Sequence, residues 1–203
     1  MKTIVELKFD RIVKEGFHAI LKPLGFKKKE NNFYLQRADL GHIINIQKSM
    51  YYSKDHINFT INTGIFVPLY WSARYNFYNL NIPIFPTEPE CMIRKRIGSL
   101  KNQQDTWYDI LESTNDDNLI LEMKENLQKY ILPYFDNIKN IDELLLQSES
   151  GGLKVGHFDR MIIYGELNLT EKAQFEYEIL MNEKMNLGFR ELLNEFKMKY
   201  GIK

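Results

Sequence analysis

The sequence predicts an α+β fold: an N-terminal helix packed on an antiparallel sheet of four to six strands, followed by an all-helical C-terminal region. Three observations predict it. Apolar residues recur every three or four positions in the first two dozen residues, which is the period of a helix face. Residues 33–65 and 91–98 alternate apolar and polar, the period of a half-buried strand. From about residue 115 onward the helix period returns. The expected division is a sheet domain over 1–112 and a helical region over 113–203, with a linker at 148–152, packed as one unit.

Phe9, Ile12, Val13, Gly16, Phe17, Ile20, Leu21 and Leu24 mark the first helix, over residues 4–23. Gly25 sits where a helix C-terminal cap belongs. Lys27 to Asn32 is a polar break, with Asn31-Asn32 as a turn because Asn tolerates positive φ. Strands are expected at 33–37, 43–51 and 57–65, in antiparallel meander order. Residues 66–90 hold Pro68, Pro83, Pro86 and Pro89 together with Phe66, Tyr70, Trp71, Tyr75, Phe77, Tyr78 and Phe85. Such a stretch reads as an irregular aromatic loop, packed over the core or functional. Residues 91–98 read as a strand, and 106–111 as strand or turn. A helix through Leu119, Met123, Leu127, Tyr130 and Ile131 should start at Asn115 or Asp116 and end at Pro133. A short helix at 141–146 and helical patches near 153–166, 170–184 and 187–200 complete the chain.

Composition excludes several classes. The 203 residues carry 27 Lys+Arg against 27 Asp+Glu, so a general nucleic-acid or membrane-surface role, which needs a basic excess, is not expected. The charge is uneven along the chain: residues 1–100 hold 15 basic against 8 acidic residues, and residues 101–203 hold 12 against 19. That asymmetry fits either complementary fields between the halves or two surfaces with different partners. One cysteine, Cys91, rules out an internal disulfide. Residues 1–22 carry charge throughout, unlike a signal peptide, and there is no apolar run of about 18 residues. A cytoplasmic location is the expectation.

The polar sides of the strands carry amides and hydroxyls in place of charges. Side chains alternate faces, so Ile57, Phe59, Ile61 and Ile65 oppose Asn58, Thr60, Asn62 and Gly64. Ile44, Ile46 and Met50 likewise oppose Asn45, Gln47 and Ser49. The expected binding surface is therefore Gln36, Asn45, Gln47, Ser49, Asn58, Thr60, Asn62, Arg94 and Arg96, with Tyr34 beside them and Trp71 on an aromatic rim. Short amides are poor strand formers, so their repetition suggests a fixed hydrogen-bonding task. The apolar face should lie under the first helix through Phe9, Ile12, Phe17 and Ile20.

Catalytic patterns are sparse. His18, His42, His56 and His157 show no metal-ligand spacing, although His42 and His56, at the ends of the two hairpin strands, could meet across the pair. Cys91 reads as a small buried hydrophobe. Gly151-Gly152-Leu153-Lys154-Val155-Gly156 lacks the Lys-Ser/Thr pair of a phosphate loop and reads as linker. Asp116-Asp117 and Asp142-Glu143 suit helix N-termini. Lys27-Lys28-Lys29 and Arg94-Lys95-Arg96 would make a basic patch only if they adjoin.

Four blocks in order resemble the bacterial family catalogued as domain of unknown function 4304: residues 21–28 (LKPLGFKK), 46–49 (IQKS), 59–65 (FTINTGI) and 91–98 (CMIRKRIG), with Trp107 after the last. The resemblance covers roughly residues 9–110 and implies a bacterial cytoplasmic α+β domain; it carries over no catalytic residue. Small bacterial domains of this kind suggest a toxin-neutralising, immunity-type role. The expected function is thus non-enzymatic binding of a protein partner through the polar sheet face, with no cofactor, nucleic acid or membrane. The alternative is a hydrolase or nuclease-like enzyme that uses Arg94, Arg96, His42 or His56 on a phosphate- or carboxylate-bearing ligand in the same groove.

Overall fold

The computed structural model describes residues 2–51, 53–75 and 80–203. They form two compact units: Met1–Phe66 with Ile84–Asn140, and Val67–Pro83 with Ile141–Lys203. The expected boundary at 112/113 is therefore displaced. Residues 113–140 belong with the sheet, because Leu119, Ile120, Met123, Leu127 and Ile131 are buried there.

The first unit opens with α1 (Ile4–Ile12), whose N-terminus is closed by a reciprocal pair: Thr3 Oγ1 accepts from Glu6 N, and Glu6 accepts from Thr3 N. The helix continues through a π-helical segment, Val13–His18, into the short α2 (Ala19–Leu21). The wider π turn shifts the phase of the stripe, so Leu21 is buried while Ile20, expected inside, is half-exposed. Gly25 takes φ +90 and closes the helix, with Phe26 N donating to Leu21 O at 3.1 Å.

Six strands follow: β1 (Lys27–Lys29), β2 (Asn32–Arg37), β3 (Leu40–Lys48), β4 (His56–Phe66), β5 (Ile93–Arg96) and β6 (Tyr108–Leu111). All pair antiparallel in the order β1-β2-β3-β4-β5. β6 shares the outer side of β4 with β5: β5 pairs with Asn62–Ile65 and β6 with His56–Phe59. The polar break at Lys27 is thus an edge strand, and three exposed lysines discourage further pairing there. The hairpin turn falls on Glu30-Asn31, with Glu30 at φ +53, one residue earlier than expected, because Asn32 is already paired in β2. β3 ends at Lys48, and Met50, expected on the apolar face, is 91% exposed. Of the segment 91–98 only Ile93–Arg96 is strand; Ile97–Leu100 forms α4.

One sheet face packs under α1. Phe9 meets Phe59 edge-on at 5.7 Å, and Phe17 stacks on Phe33 at 6.3 Å. α5 (Asp116–Asn126) starts at Asn115, whose side chain accepts from Asn118 N, and crosses Gly16, where an added Cβ would sit 3.0 Å from Met123 Cβ. Pro133 does not end this helix. The chain passes through a π segment, Leu127–Ile131, and continues helically into α6 (Leu132–Asp136), with Leu132 N donating to Leu127 O just before Pro133.

The second unit is helical. α3 (Pro68–Tyr75) replaces the irregular loop expected there, with Pro68 at its first position, where proline is tolerated. Phe77 and Tyr78 lie outside the described residues. α7 (Ile141–Glu149) absorbs Ser148 and Glu149 of the expected linker, and Ser148 is buried. α8 (His157–Glu166), α9 (Thr170–Met181) and α10 (Leu187–Lys199) follow. Phe158 of α8 packs against Phe189 and Phe196 of α10.

Candidate functional site

The registers bring the amides together. Asn32 pairs with Asn45, Asn45 with Asn62, and Asn62 with Arg96, so one row crosses β2, β3, β4 and β5 on the face away from α1. The row is hydrogen-bonded along its length. Asn45 Nδ2 donates to Asn32 Oδ1 at 2.8 Å, Asn62 Nδ2 to Asn45 Oδ1 at 3.2 Å and to Gln47 Oε1 at 2.7 Å. Arg96 Nε donates to Asn62 Oδ1 at 3.1 Å. Asn62 is 4% exposed and has every amide atom engaged. Asn32 was read as a turn residue, and only the register reveals that it extends the row.

At the β5 end the row opens into a depression of about 180 Å³, lined by Gln47, Asn62, Glu88, Arg94, Lys95 and Arg96. Arg94 holds buried Glu88 in two bonds, Nε to Oε1 at 2.6 Å and Nη2 to Oε2 at 3.0 Å. This pairing raises the guanidinium pKa further. Arg96 Nη1 donates to Asp105, its guanidinium lies over Trp107 at 5.4 Å, and Trp107 Nε1 donates to the same Asp105 oxygen at 3.0 Å. The acids Glu88 and Asp105 lie outside any periodic segment, so nothing in the sequence marked them as partners. Among the described residues, Gln47 Nε2, Arg94 Nη1 and Arg96 Nη2 have no protein acceptor.

The upper part of the same face is covered. Residues 84–92 fold back on it, with Phe85 against Tyr34 at 5.6 Å. A Cβ on Gly64 would lie 2.3 Å from Cys91 Sγ, so only glycine admits this approach. Cys91 is buried, and burial pushes its thiol pKa up, away from a reactive thiolate.

The remaining expected residues are dispersed. Gln36 is spent locally, accepting from Tyr34 Oη and donating to Ala38 O at 2.9 Å. Thr60 is buried and donates to Thr106 O at 2.7 Å. Ser49 lies past the end of β3, where its hydroxyl accepts from Tyr51 N. Asn58 and His56 share Asp109 Oδ1, at 2.9 and 2.6 Å, and both hold that carboxyl below the usual range, His56 foremost. Trp71 belongs to the second unit, in α3, packed on Tyr75 at 4.4 Å.

His42 and His56 do not meet. His42 pairs with Ile65 at one end of the hairpin and faces the helix side; His56 stands nine residues away from Ile65 along β4, about 30 Å at strand rise, on the polar side. The two basic runs are also apart: Lys27–Lys29 and Ile93–Arg96 are opposite edges of the five-strand path, about 19 Å at ordinary strand spacing. No cluster of three His, Cys, Asp or Glu able to hold a metal occurs among the described residues.

Residues 17–137 match the family described as Domain of unknown function (DUF4304), which is more than half of the chain. The chain belongs to the DUF4304 family. The DUF4304 segment takes in all six strands and runs to within one residue of the end of α6, so it includes the amide row and the depression. The helices α7 to α10 lie beyond it. Neither the curated proteins nor the solved structures provide a match. Among the described residues no helix is long and apolar enough to cross a membrane.

Proposed function

We propose that this DUF4304 protein is a non-enzymatic binding protein that holds a protein partner on the polar sheet face, in a bacterial cytoplasm and in an immunity-type role. One observation carries the reading: a hydrogen-bonded amide row presents three unmet donors, on Gln47, Arg94 and Arg96, at one small depression. Donors fixed in advance lose little freedom on binding. Both guanidinium groups already face a carboxylate, Glu88 or Asp105, so the site suits carbonyl or single carboxylate acceptors of a polypeptide better than a polyanion. The hydrolytic alternative draws on the His56–Asp109 pair, but that pair stands six residues along β4 from Asn62, about 20 Å from the arginines.

The test is Gln47→Glu, which keeps the acceptor used by Asn62 and turns the unmet donor into an acceptor. Capture from the native host's lysate with wild type and variant in parallel should lose a stoichiometric protein from the variant. Retention of every captured protein, or a co-purifying small molecule turned over by the wild type, refutes the reading.

A further inference from the structure

Arg96 fixes the direction of the whole amide row. A guanidinium N–H only donates, so the atom of Asn62 that meets Arg96 Nε at 3.1 Å is Oδ1. Asn62 Nδ2 then has both hydrogens placed, one on Asn45 Oδ1 and one on Gln47 Oε1. Turned that way, Asn45 offers Nδ2 to Asn32 Oδ1 at 2.8 Å. Each amide oxygen of the row thus accepts a bond from within the row.

What remains at the surface is one-sided. Among the described residues, Asn32 Nδ2, Gln47 Nε2, Arg94 Nη1 and Arg96 Nη2 carry hydrogens with no protein acceptor. The last three belong to residues that line the depression of about 180 Å³. They are within reach of a ligand: the Arg94 and Arg96 side chains are 55% and 40% exposed, and Gln47 is exposed. A wall of donors suits a group that only accepts, and among polar side chains only the ionised carboxylate does so. The charge count agrees. Glu88 and Asp105 answer Arg94 and Arg96, whereas Lys95 on the same wall has no carboxylate at ion-pair distance among the described residues, so one positive charge is left over. Residues 1–100, which supply the whole row, hold 15 basic against 8 acidic residues.

We propose that the depression seats the side-chain carboxylate of a single Asp or Glu from an acidic segment of the partner, with Gln47 Nε2, Arg94 Nη1 and Arg96 Nη2 donating to it. The inference rests on the polar-face reading and deepens it, since it selects a charged acceptor over a carbonyl.

The test is a titration of the full ¹⁵N-labelled chain at pH 7 and low salt, followed through the Nε–H signals of Arg94 and Arg96 and the side-chain amide of Gln47. The probes are acetyl-Gly-Gly-Glu-Gly-Gly-amide, its glutamine analogue, and acetyl-pentaglycine with a free C-terminal carboxylate. The glutamate peptide should saturate, shift all three signals, and bind roughly five- to tenfold more tightly than the glutamine peptide, because hydrogen bonds to a charged group are the stronger ones. Gln47→Glu, which puts a carboxylate where the donor stood, should erase that preference. Equal affinity for the two capped peptides overturns the proposal and leaves the polar-face reading in place, with a carbonyl as the acceptor. Tighter binding of the free C-terminus, no saturation by the glutamate peptide, or shifts confined to other residues also overturn it. The polar-face reading fails by a separate result, the retention of every captured protein by Gln47→Glu.

Discussion

The two faces of one sheet are held by different physics. β3 and β4 contribute to both. Toward α1 they offer Ile44, Ile46, Ile57, Phe59 and Ile61, none more than 1% exposed, and any side chain of the right shape would satisfy that face. On the other side, Asn45, Asn62 and Arg96 are tied by directional bonds, and a change of one atom type breaks a bond. The apolar face therefore sets how stable the domain is. The polar face sets what geometry it shows to solvent. A substitution on each side should separate the two roles.

The largest effect belongs to the apolar face. Phe59→Ala removes a fully buried ring that meets both Phe9 and Tyr108, and it should cost about 3–5 kcal/mol in denaturant unfolding. A smaller loss than Asn62→Ala would break the comparison. Next comes His42 on the same side. Its folded pKa of about 4 lies below the ordinary 6.5, so the unfolded chain binds the proton more readily. Its contribution is complete above pH 6.5 and is lost as pH falls from there to about 4, by roughly 3 kcal/mol. Denaturation of wild type and His42→Gln at pH 7 and pH 4.5 checks this: the variant should lose that part of the acid sensitivity.

What the sequence made legible follows the same division. Alternation alone placed Ile44, Ile46, Phe59 and Ile61 under a helix, because period two needs no knowledge of partners. It also placed Asn45, Gln47 and Asn62 on one face. It could not align them into a row, since register depends on turn positions, and the Glu30-Asn31 turn fell one residue from expectation. Arg94 and Arg96 were visible, but Glu88 and Asp105, which occupy them, come from segments without period. The segment around Trp71 is helix where its prolines suggest a loop, because Pro68 stands at the first helical position. The π turn in the first helix was also illegible, and of the expected stripe it keeps Leu21 in the core and leaves Ile20 half-exposed.

On the polar face the effects should be smaller and graded by burial. Asn62→Ala leaves Arg96 Nε, Asn45 Oδ1 and Gln47 Oε1 without their partner in a nearly closed site, and it should cost roughly 1–3 kcal/mol. Gln47→Ala sits one step away in the same network, yet its side chain is exposed, so water replaces the bond it loses. Its cost should be within about 0.5 kcal/mol. The pair of denaturation curves tests whether the row is one cooperative network or a set of separate contacts. A Gln47→Ala loss close to that of Asn62→Ala would mean that the exposed amide holds the row together, and that its role is structural rather than recognition. Near-neutral Gln47→Ala beside a costly Asn62→Ala would leave Gln47 as a position whose amide the fold does not need.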